Sequence, residues 1–288
     1  MFPLSKTNLA VVILFAASIL WGLTWIPLKF FQSVGIEGVW LLLVTQGLLA
    51  AAFLRVSFKP QYFISHWKPL LAITFFGGGA ILFFTLALMY GEIIRVMVLF
   101  YLLPVWGVLG GRLFLGERID LIRGVCVAAA VSGALLILGG FEIFNTPPTW
   151  LDVIALLSGL FFAANNIMFR AVETVPVNTK LWLMFIGCTS MAAMLIAFGV
   201  QHEPPQSSQF HWFMLAGYAL TWLLLANLGS QWAVTQLEAG RSSIIIIMEL
   251  VAAVISALLI AGESLSPMEW VGCALVVVAA VLEATRAS

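Results

Sequence analysis

Charged residues are scarce in this sequence: Asp, Glu, Lys and Arg together make up 9% of its 288 residues. A soluble domain carries about 25% charged residues, so this chain lacks the polar side chains needed to cover a surface in water. Its net charge is zero, which removes the electrostatic reason to expect nucleic-acid binding. The sequence is instead 62% hydrophobic, with a mean hydropathy of +1.10. These values predict a polytopic membrane protein in a lipid bilayer.

Cysteine and histidine are also scarce, with three residues of each type. The cysteines lie inside apolar runs, and their odd number argues against a disulfide framework. The histidines fall at helix ends or in loops, without the mutual spacing of metal ligands. The sequence also lacks a glycine-rich phosphate loop followed by Lys-Ser or Lys-Thr. These absences predict no metal, no cofactor, no ATP-driven pump and only a weak case for an enzyme.

Ten apolar segments are each long enough to cross a bilayer, which requires about 20 residues in a helix. Their predicted bounds are 8–28, 37–55, 69–89, 96–115, 121–140, 151–170, 180–199, 211–232, 242–261 and 267–284. The connections between them are short and leave no room for a soluble domain. The sequence therefore predicts an all-α integral membrane fold of ten transmembrane helices.

The basic residues predict the orientation of these helices. If the N-terminus is cytoplasmic, only Lys29 and Arg95 among the 13 Lys and Arg residues lie on the outer side. Cytoplasmic loops of membrane proteins carry the excess of basic residues. We therefore expect a multi-pass protein of the inner (plasma) membrane with both termini in the cytoplasm.

One pattern of charged and small residues occurs twice, at a fixed offset of 146 positions. The first copy contains Glu92, Arg95, Gly107, Gly111, Gly116 and Glu117, and the second contains Glu238, Arg241, Ala253, Ala257, Gly262 and Glu263. Chance similarity between apolar stretches would not keep Glu, Arg and Glu in register. The pattern predicts two five-helix repeats, 1–145 and 146–288. Because five is odd, the repeats must insert in opposite directions, which is typical of alternating-access transporters.

Further motifs give this repeat a family resemblance. The first half contains Trp21-Gly22, then Pro104 ahead of the turn Leu115-Gly116-Glu117, and then Gly124. The second half contains Met248-Glu249-Leu250-Val251, Gly262-Glu263 and Gly272. The chain resembles the drug/metabolite transporter superfamily and its EamA-type halves, although Leu250 stands where that motif has a proline. The resemblance implies a ten-helix carrier of amino acids, other metabolites or amphiphilic drugs, often an exporter.

Glu249 is the acidic residue that the sequence places well inside a span, eight residues into the ninth helix. A charge at the centre of a membrane helix costs about 2.5–3.5 kcal/mol on insertion scales. Such a carboxyl group either faces a wet cavity or is protonated. We expect Glu249 to exchange a proton or to bind a cationic group. The alternative is a protonated side chain that holds helices together by hydrogen bonds.

A second group of polar and aromatic residues lies deep in the predicted spans. With Glu249, we predict that they line one substrate cavity at the middle of the membrane: Trp21, Trp25, Tyr101, Trp106, Asn165 and Asn166. Aromatic walls would bind a flat or cationic substrate by stacking and cation–π contact, while the amides hold its polar end. Packing in the helix core is the alternative for each residue.

The two Glu-x-x-Arg pairs begin helices at opposite membrane faces. We predict that Glu92 with Arg95 and Glu238 with Arg241 are matched gates, each closing one side by an ion pair. The alternative is that they are interfacial anchors whose arginines extend to lipid headgroups. Interfacial ion pairs contribute only about 1 kcal/mol or less, which favours the anchors.

The remaining repeat residues predict helix contacts. Glu117 and Glu263 should accept backbone N–H bonds at the start of the next helix. The small residues Gly107, Gly111, Ala253 and Ala257 predict that the fourth and ninth helices cross closely. The run Gly77-Gly78-Gly79 predicts either a hinge or a close packing face.

Together these features predict a secondary active transporter, favouring export, of small metabolites such as amino acids or amphiphilic and cationic compounds. It would work by alternating access, with proton coupling as a further hypothesis. Its expected partners are the substrate, protons and the lipid bilayer, and its oligomeric state stays open. Two alternatives remain: an uncoupled facilitator of the same substrates and an intramembrane lipid-modifying enzyme.

Overall fold

The computed structural model describes residues 6–58, 60–102, 105–106, 121–137, 148–172, 174–201, 203–234, 236–237 and 239–286. Within these ranges the regular structure is entirely helical, which confirms the all-α prediction. The α-helices are α1 Lys6–Gly22, α2 Trp25–Ser33, α3 Gly38–Ser57, α4 Pro60–Tyr90, α5 Ile93–Phe100, α6 Leu121–Ile137, α7 Trp150–Ala171, α8 Val177–Ala197, α9 Gln209–Tyr218, α10 Leu224–Val234, α11 Ala239–Ser256 and α12 Pro267–Arg286. Two π-helical turns, Ala219–Leu223 and Ala257–Ala261, follow α9 and α11.

Most of the predicted spans reappear as apolar helical runs. Six runs in the described part of the chain are long enough to cross a membrane: Lys6–Ser33, Gly38–Ser57, Pro60–Tyr90, Trp150–Phe169, Val177–Ala197 and Gln209–Val234. Three shorter apolar runs are Gly124–Ile137, Ile245–Ala261 and Pro267–Ala279. Most of the predicted segment 96–115 lies outside the described residues. The chain is a multi-pass membrane protein.

Proline breaks one of the predicted spans and bends a helix just before another. The segment 8–28 is not one helix, because α1 ends at Gly22 and α2 begins at Trp25. Pro27 has no N–H to donate to the carbonyl four residues earlier, so the helix cannot continue through Leu23. Helix α4 bends at His66, where φ is −131° and ψ is 29°, three residues before Pro69. The irregular backbone therefore follows from local sequence.

The described chain forms two compact units, and each draws on both sequence halves. The first unit comprises residues 1–25, 91–156 and 225–288. Within it, α6 crosses α12 where Gly133 meets Gly272: a Cβ on either glycine would lie 2.6 or 2.7 Å from the other's carbonyl oxygen. The two halves of the sequence therefore meet here through glycines, which let the helix backbones come into contact.

The second unit comprises residues 26–90 and 157–224. Its centre is the crossing of α4 and α8. A Cβ on Gly78 would lie 2.5 Å from the Gly187 carbonyl carbon, and one on Gly187 would collide with the Thr74 carbonyl. Only glycine permits such close backbones. The run Gly77-Gly78-Gly79 is therefore a packing face.

The small residues of the ninth predicted span (242–261) pack against the first helix, α1. Ala253 is fully buried, and it packs with Ala252 against Gly22 of the first helix. A Cβ on Gly22 would lie 2.9 Å from the Ala252 Cβ and 3.1 Å from the Ala253 nitrogen. Gly107 and Gly111 lie outside the described residues. The predicted crossing of the ninth span with the fourth predicted span (96–115) therefore stays a prediction.

Candidate functional site

Glu249 lies in the middle of α11, inside the first unit, with 9% of its surface exposed. Gly22 of α1 approaches the backbone here so closely that a Cβ on it would collide with the Glu249 carbonyl. The apolar neighbours along α11, Ile247 and Leu250, are also buried. Burying a carboxylate without a partner is expensive. The protonation state of Glu249 therefore depends strongly on its few polar contacts.

Tyr101 makes a polar contact one turn from this carboxyl group. Helix α5 ends at Phe100, four residues before Pro104 in the sequence, and Tyr101 follows in a turn. The Tyr101 hydroxyl donates a 3.0 Å hydrogen bond to the carbonyl oxygen of Ile246, one turn before Glu249 on α11. Ile246 and Glu249 are three residues apart on α11 and therefore lie on the same face of that helix. The structure thus places Tyr101 and Glu249 of the predicted site together.

The tryptophans predicted for the cavity have different surroundings. The indole N–H of Trp25 donates a 2.9 Å bond to the Ser256 hydroxyl, and Trp25 is buried. Ser256 in turn donates to the carbonyl of Ala253, so this indole is fixed within the helix packing. Trp21 and Trp106 are half-buried. The buried indole N–H of Trp106 has no hydrogen-bond partner among the described residues, which leaves a donor available for a ligand or a water molecule.

Asn165 and Asn166 belong to the second unit. Asn165 is buried beside Gly77, and its amide nitrogen lies 3.8 Å from the Met184 sulfur. Its amide oxygen has no hydrogen-bond partner within the described ranges. Asn166 is exposed. Of this pair, Asn165 is therefore the buried amide that can still accept a hydrogen bond. The predicted substrate cavity that would bring both asparagines together with Glu249 stays a prediction.

The predicted outer gate has an unexpected partner. Arg95 forms its ion pair with Asp152 at the start of α7, through Nε–Oδ1 and Nη2–Oδ2 contacts of 2.6 and 2.9 Å. Glu92 is exposed and is the N-cap residue of α5, without a side-chain capping bond. Sequence reasoning paired Arg95 with Glu92 because of their i, i+3 spacing, whereas the folded chain brings a better-buried carboxylate to the arginine.

A local motif pointed to Asp152. Thr149-x-x-Asp152 before an apolar run is a capping box, and both halves of the box form: the Thr149 N–H donates to Asp152 Oδ2 at 2.8 Å, and the Asp152 N–H donates to Thr149 Oγ1 at 3.4 Å. The capping bonds fix the carboxylate of a side chain only 4% exposed. The motif thus presents a preoriented carboxylate to Arg95.

Glu263 has the structural role predicted for it, but at a different helix. Its two carboxylate oxygens accept the backbone N–H bonds of Ile93 and Ile94 at 2.7 and 3.0 Å, at the start of α5. Gly262, with φ of +69°, ends the π turn after α11 in the left-handed conformation that glycine favours. This turn carries Glu263 to α5 instead of to the following helix α12.

The counterparts of these residues in the repeat pattern fall largely outside the described part of the chain. Glu117 and Glu238 lie outside the described residues, and the structure describes the backbone of Arg241 in α11 but not its side chain. The predicted inner gate therefore stays a prediction. Within the described ranges no group of three His, Cys, Asp or Glu residues is close enough to hold a metal ion.

These helices and the carboxyl group buried among them define a polytopic α-helical membrane protein. The model of the EamA-like transporter family matches the chain twice, over residues 8–139 and 149–284. The chain belongs to the EamA-like transporter family, and it is a transporter rather than an enzyme. Two matches account for almost the whole chain and confirm the two-repeat organisation inferred from the sequence.

The chain is also similar to individual proteins. A riboflavin transporter of Rhizobium johnstonii is 28% identical over 116 residues, which cover 40% of this chain and 37% of that protein. A solved crystal structure of a protein superposes with a TM-score of 0.56 over 96% of this chain and 98% of its own, at 18% identity. The second similarity concerns the fold alone.

Proposed function

We propose that the protein is a secondary active transporter that exports a small flat aromatic or cationic metabolite in exchange for protons. The observation that carries this proposal is Glu249, a buried carboxyl group in the middle of an apolar helix, one turn from the Ile246 carbonyl that the Tyr101 phenol binds. An ionisable residue inside the membrane is a functional site by default. Alternating access about a cavity at this depth would expose the group to each side in turn.

Aromatic residues support the substrate class. Trp21, Tyr101 and Trp106 belong to the same unit as Glu249, and the indole N–H of Trp106, unpartnered among the described residues, offers a donor. Aromatic faces bind flat and cationic compounds by stacking and cation–π contact. The partial relative named a riboflavin transporter is consistent with a flat heteroaromatic substrate. Riboflavin and aromatic amino acids are therefore the first compounds to test.

The distribution of basic residues supports one orientation in the membrane. We propose an inner-membrane location with both termini in the cytoplasm, because this arrangement leaves only Lys29 and Arg95 on the outer side. It makes the two sequence halves, 1–145 and 146–288, oppositely inserted repeats. Labelling of single cysteines at the two termini in intact cells tests it. Labelling of either terminus by an impermeant reagent would contradict the proposal.

Transport in liposomes tests the coupling. We expect a pH gradient to drive substrate accumulation by the parent protein, and Glu249→Gln to lose that accumulation because an amide cannot exchange a proton. Glu203→Gln is the matched control, since Glu203 is an exposed loop residue. If Glu249→Gln keeps gradient-driven accumulation, Glu249 has no proton role. Equilibration without accumulation in the parent protein would instead favour the uncoupled facilitator.

A further inference from the structure

Tyr101 is held in one place beside α11. Its backbone N–H donates to the Met97 carbonyl at 2.9 Å, and its ring packs edge-on against Phe100 with centroids 5.5 Å apart. With only 4% of the residue exposed, the side chain has little room to move. The freedom that remains is rotation of the hydroxyl hydrogen about the C–O bond.

The hydroxyl has one hydrogen, which it can donate to one acceptor at a time. It donates that hydrogen to the Ile246 carbonyl at 3.0 Å. Glu249 lies three residues further along α11, on the same face. A helical side chain leans toward the turn N-terminal to it, so the Glu249 carboxyl group extends back toward Ile246.

The number of O–H donors shared by Glu249 and Tyr101 depends on whether Glu249 is protonated. A protonated carboxyl group can donate its O–H to the phenol oxygen while the phenol donates to Ile246. An ionised carboxylate only accepts. Since a hydrogen bond to an ionised group is about twice as strong as a neutral one, the phenol hydrogen then turns from Ile246 to the carboxylate. Loss of the proton from Glu249 to water thus releases the Ile246 carbonyl from Tyr101.

No described charged group competes with the phenol for this role. Helix α1, which contacts Glu249 through Gly22, has Lys6 as its charged residue, 16 residues away and about 24 Å along the helix. The charged residue of α5, Arg95, is paired with Asp152. Glu269, the described acidic side chain of α12, lies in its first turn and accepts from the Ser266 N–H.

We propose that Tyr101 is a positioning residue that senses the proton on Glu249: its hydroxyl donates to the Ile246 carbonyl when Glu249 is protonated and to the Glu249 carboxylate when it is not. The hydrogen-bonded link between the end of α5 and α11 therefore changes with each proton bound or released. This inference rests on the proposed function, because it gives the proton a structural consequence within the transporter.

Infrared difference spectroscopy of the reconstituted protein between acidic and alkaline pH tests the proposal without measuring transport. The carbonyl stretch of the protonated Glu249 side chain is identified as the band that Glu249→Gln removes. In Tyr101→Phe we expect this band to move to higher frequency, because the acid loses its acceptor. We also expect its titration midpoint to rise by about one pH unit, a tenfold change, because the carboxylate loses its donor. Tyr62→Phe, on α4, is the control and should change neither quantity.

A second probe protects the test against misfolding of Tyr101→Phe. Site-specific 3-fluorotyrosine at position 101 keeps the ring and provides a stronger donor, so we expect the midpoint to fall. A band and midpoint unchanged by both substitutions would overturn the sensor role. That result would leave proton-driven transport intact, whereas accumulation by Glu249→Gln would contradict the proposed function and leave the spectroscopic link unaffected.

Discussion

The guanidinium of Arg95 and the carboxylate of Asp152 form two parallel hydrogen bonds, of 2.6 and 2.9 Å, between the starts of α5 and α7. The carboxylate is almost fully buried and the arginine is partly exposed. A bidentate arginine–carboxylate pair has both the geometric specificity and the strength that most surface ion pairs lack. This contact ties a helix of the first sequence half to a helix of the second.

We expect Asp152→Asn to lower the free energy of unfolding by about 2 kcal/mol, because it removes the carboxylate from both Arg95 and the Thr149 cap. A double-mutant cycle with Arg95→Gln in detergent should give a coupling energy of about 1–2 kcal/mol. Glu92→Gln is the control, and an exposed substitution of this kind should stay within about 0.5 kcal/mol. Additive effects of the two substitutions would show that the pair does not stabilise the fold.

The gate hypothesis now concerns Arg95 with Asp152, while the pairing of Arg241 with Glu238 stays a prediction. If the pairs open during each cycle, Arg95→Gln and Arg241→Gln should each change transport and the accessibility of one side of the membrane to impermeant reagents. The two variants are compared separately in liposomes. Normal transport and accessibility in both would reduce the pairs to interfacial anchors.

Glu263 stabilises the N-terminus of α5 through charge and hydrogen bonds together. We expect Glu263→Gln to cost about 0.5–1 kcal/mol, since the amide keeps one acceptor but loses the interaction with the helix dipole. Glu263→Ala should cost more, about 1–2 kcal/mol, because two backbone donors lose their acceptor. Unfolding by SDS titration in mixed micelles measures both. An equal loss in the two variants would rule out a role for the hydrogen bonds.

The crossing of α4 and α8 depends on the absence of a side chain at Gly187. We expect Gly187→Ala to destabilise the protein by about 3 kcal/mol or more, because the new methyl group collides with the Thr74 carbonyl. Gly217→Ala in α9 meets open space, and the better helix propensity of alanine should make it neutral or stabilising by up to about 1 kcal/mol. Thermal unfolding of both variants compares them. Similar stabilities would contradict the close crossing.

Substitution of Trp25 tests whether its indole serves helix packing or substrate binding. We expect Trp25→Phe to cost about 1 kcal/mol of stability, because Ser256 loses the indole donor. Substrate affinity should stay unchanged if the indole serves only the helix packing. Trp106→Phe is the informative comparison, since its N–H has no described partner. Loss of affinity in Trp25→Phe greater than in Trp106→Phe would assign Trp25 to the cavity.

Much of the architecture could be predicted from the amino-acid sequence. Long apolar runs determine the membrane spans, because any backbone group in lipid must be satisfied within a helix. The register of Glu and Arg across two halves predicted the repeat that the family match confirms. The position of Glu249 inside the apolar ninth span is visible from the sequence alone, and a carboxyl group at such a depth is unusual.

Only the tertiary structure decided which residues meet. Arg95 has Glu92 at helical spacing, yet it binds Asp152, because a capping box orients that carboxylate toward it. Glu263 caps α5 instead of the next helix, and Tyr101 reaches Ile246, 145 residues away. Hydropathy and spacing act along one chain segment, whereas these contacts depend on how separate helices pack. The sequence therefore determined the spans, the repeat and the buried acid, and packing selected the partners of each polar group.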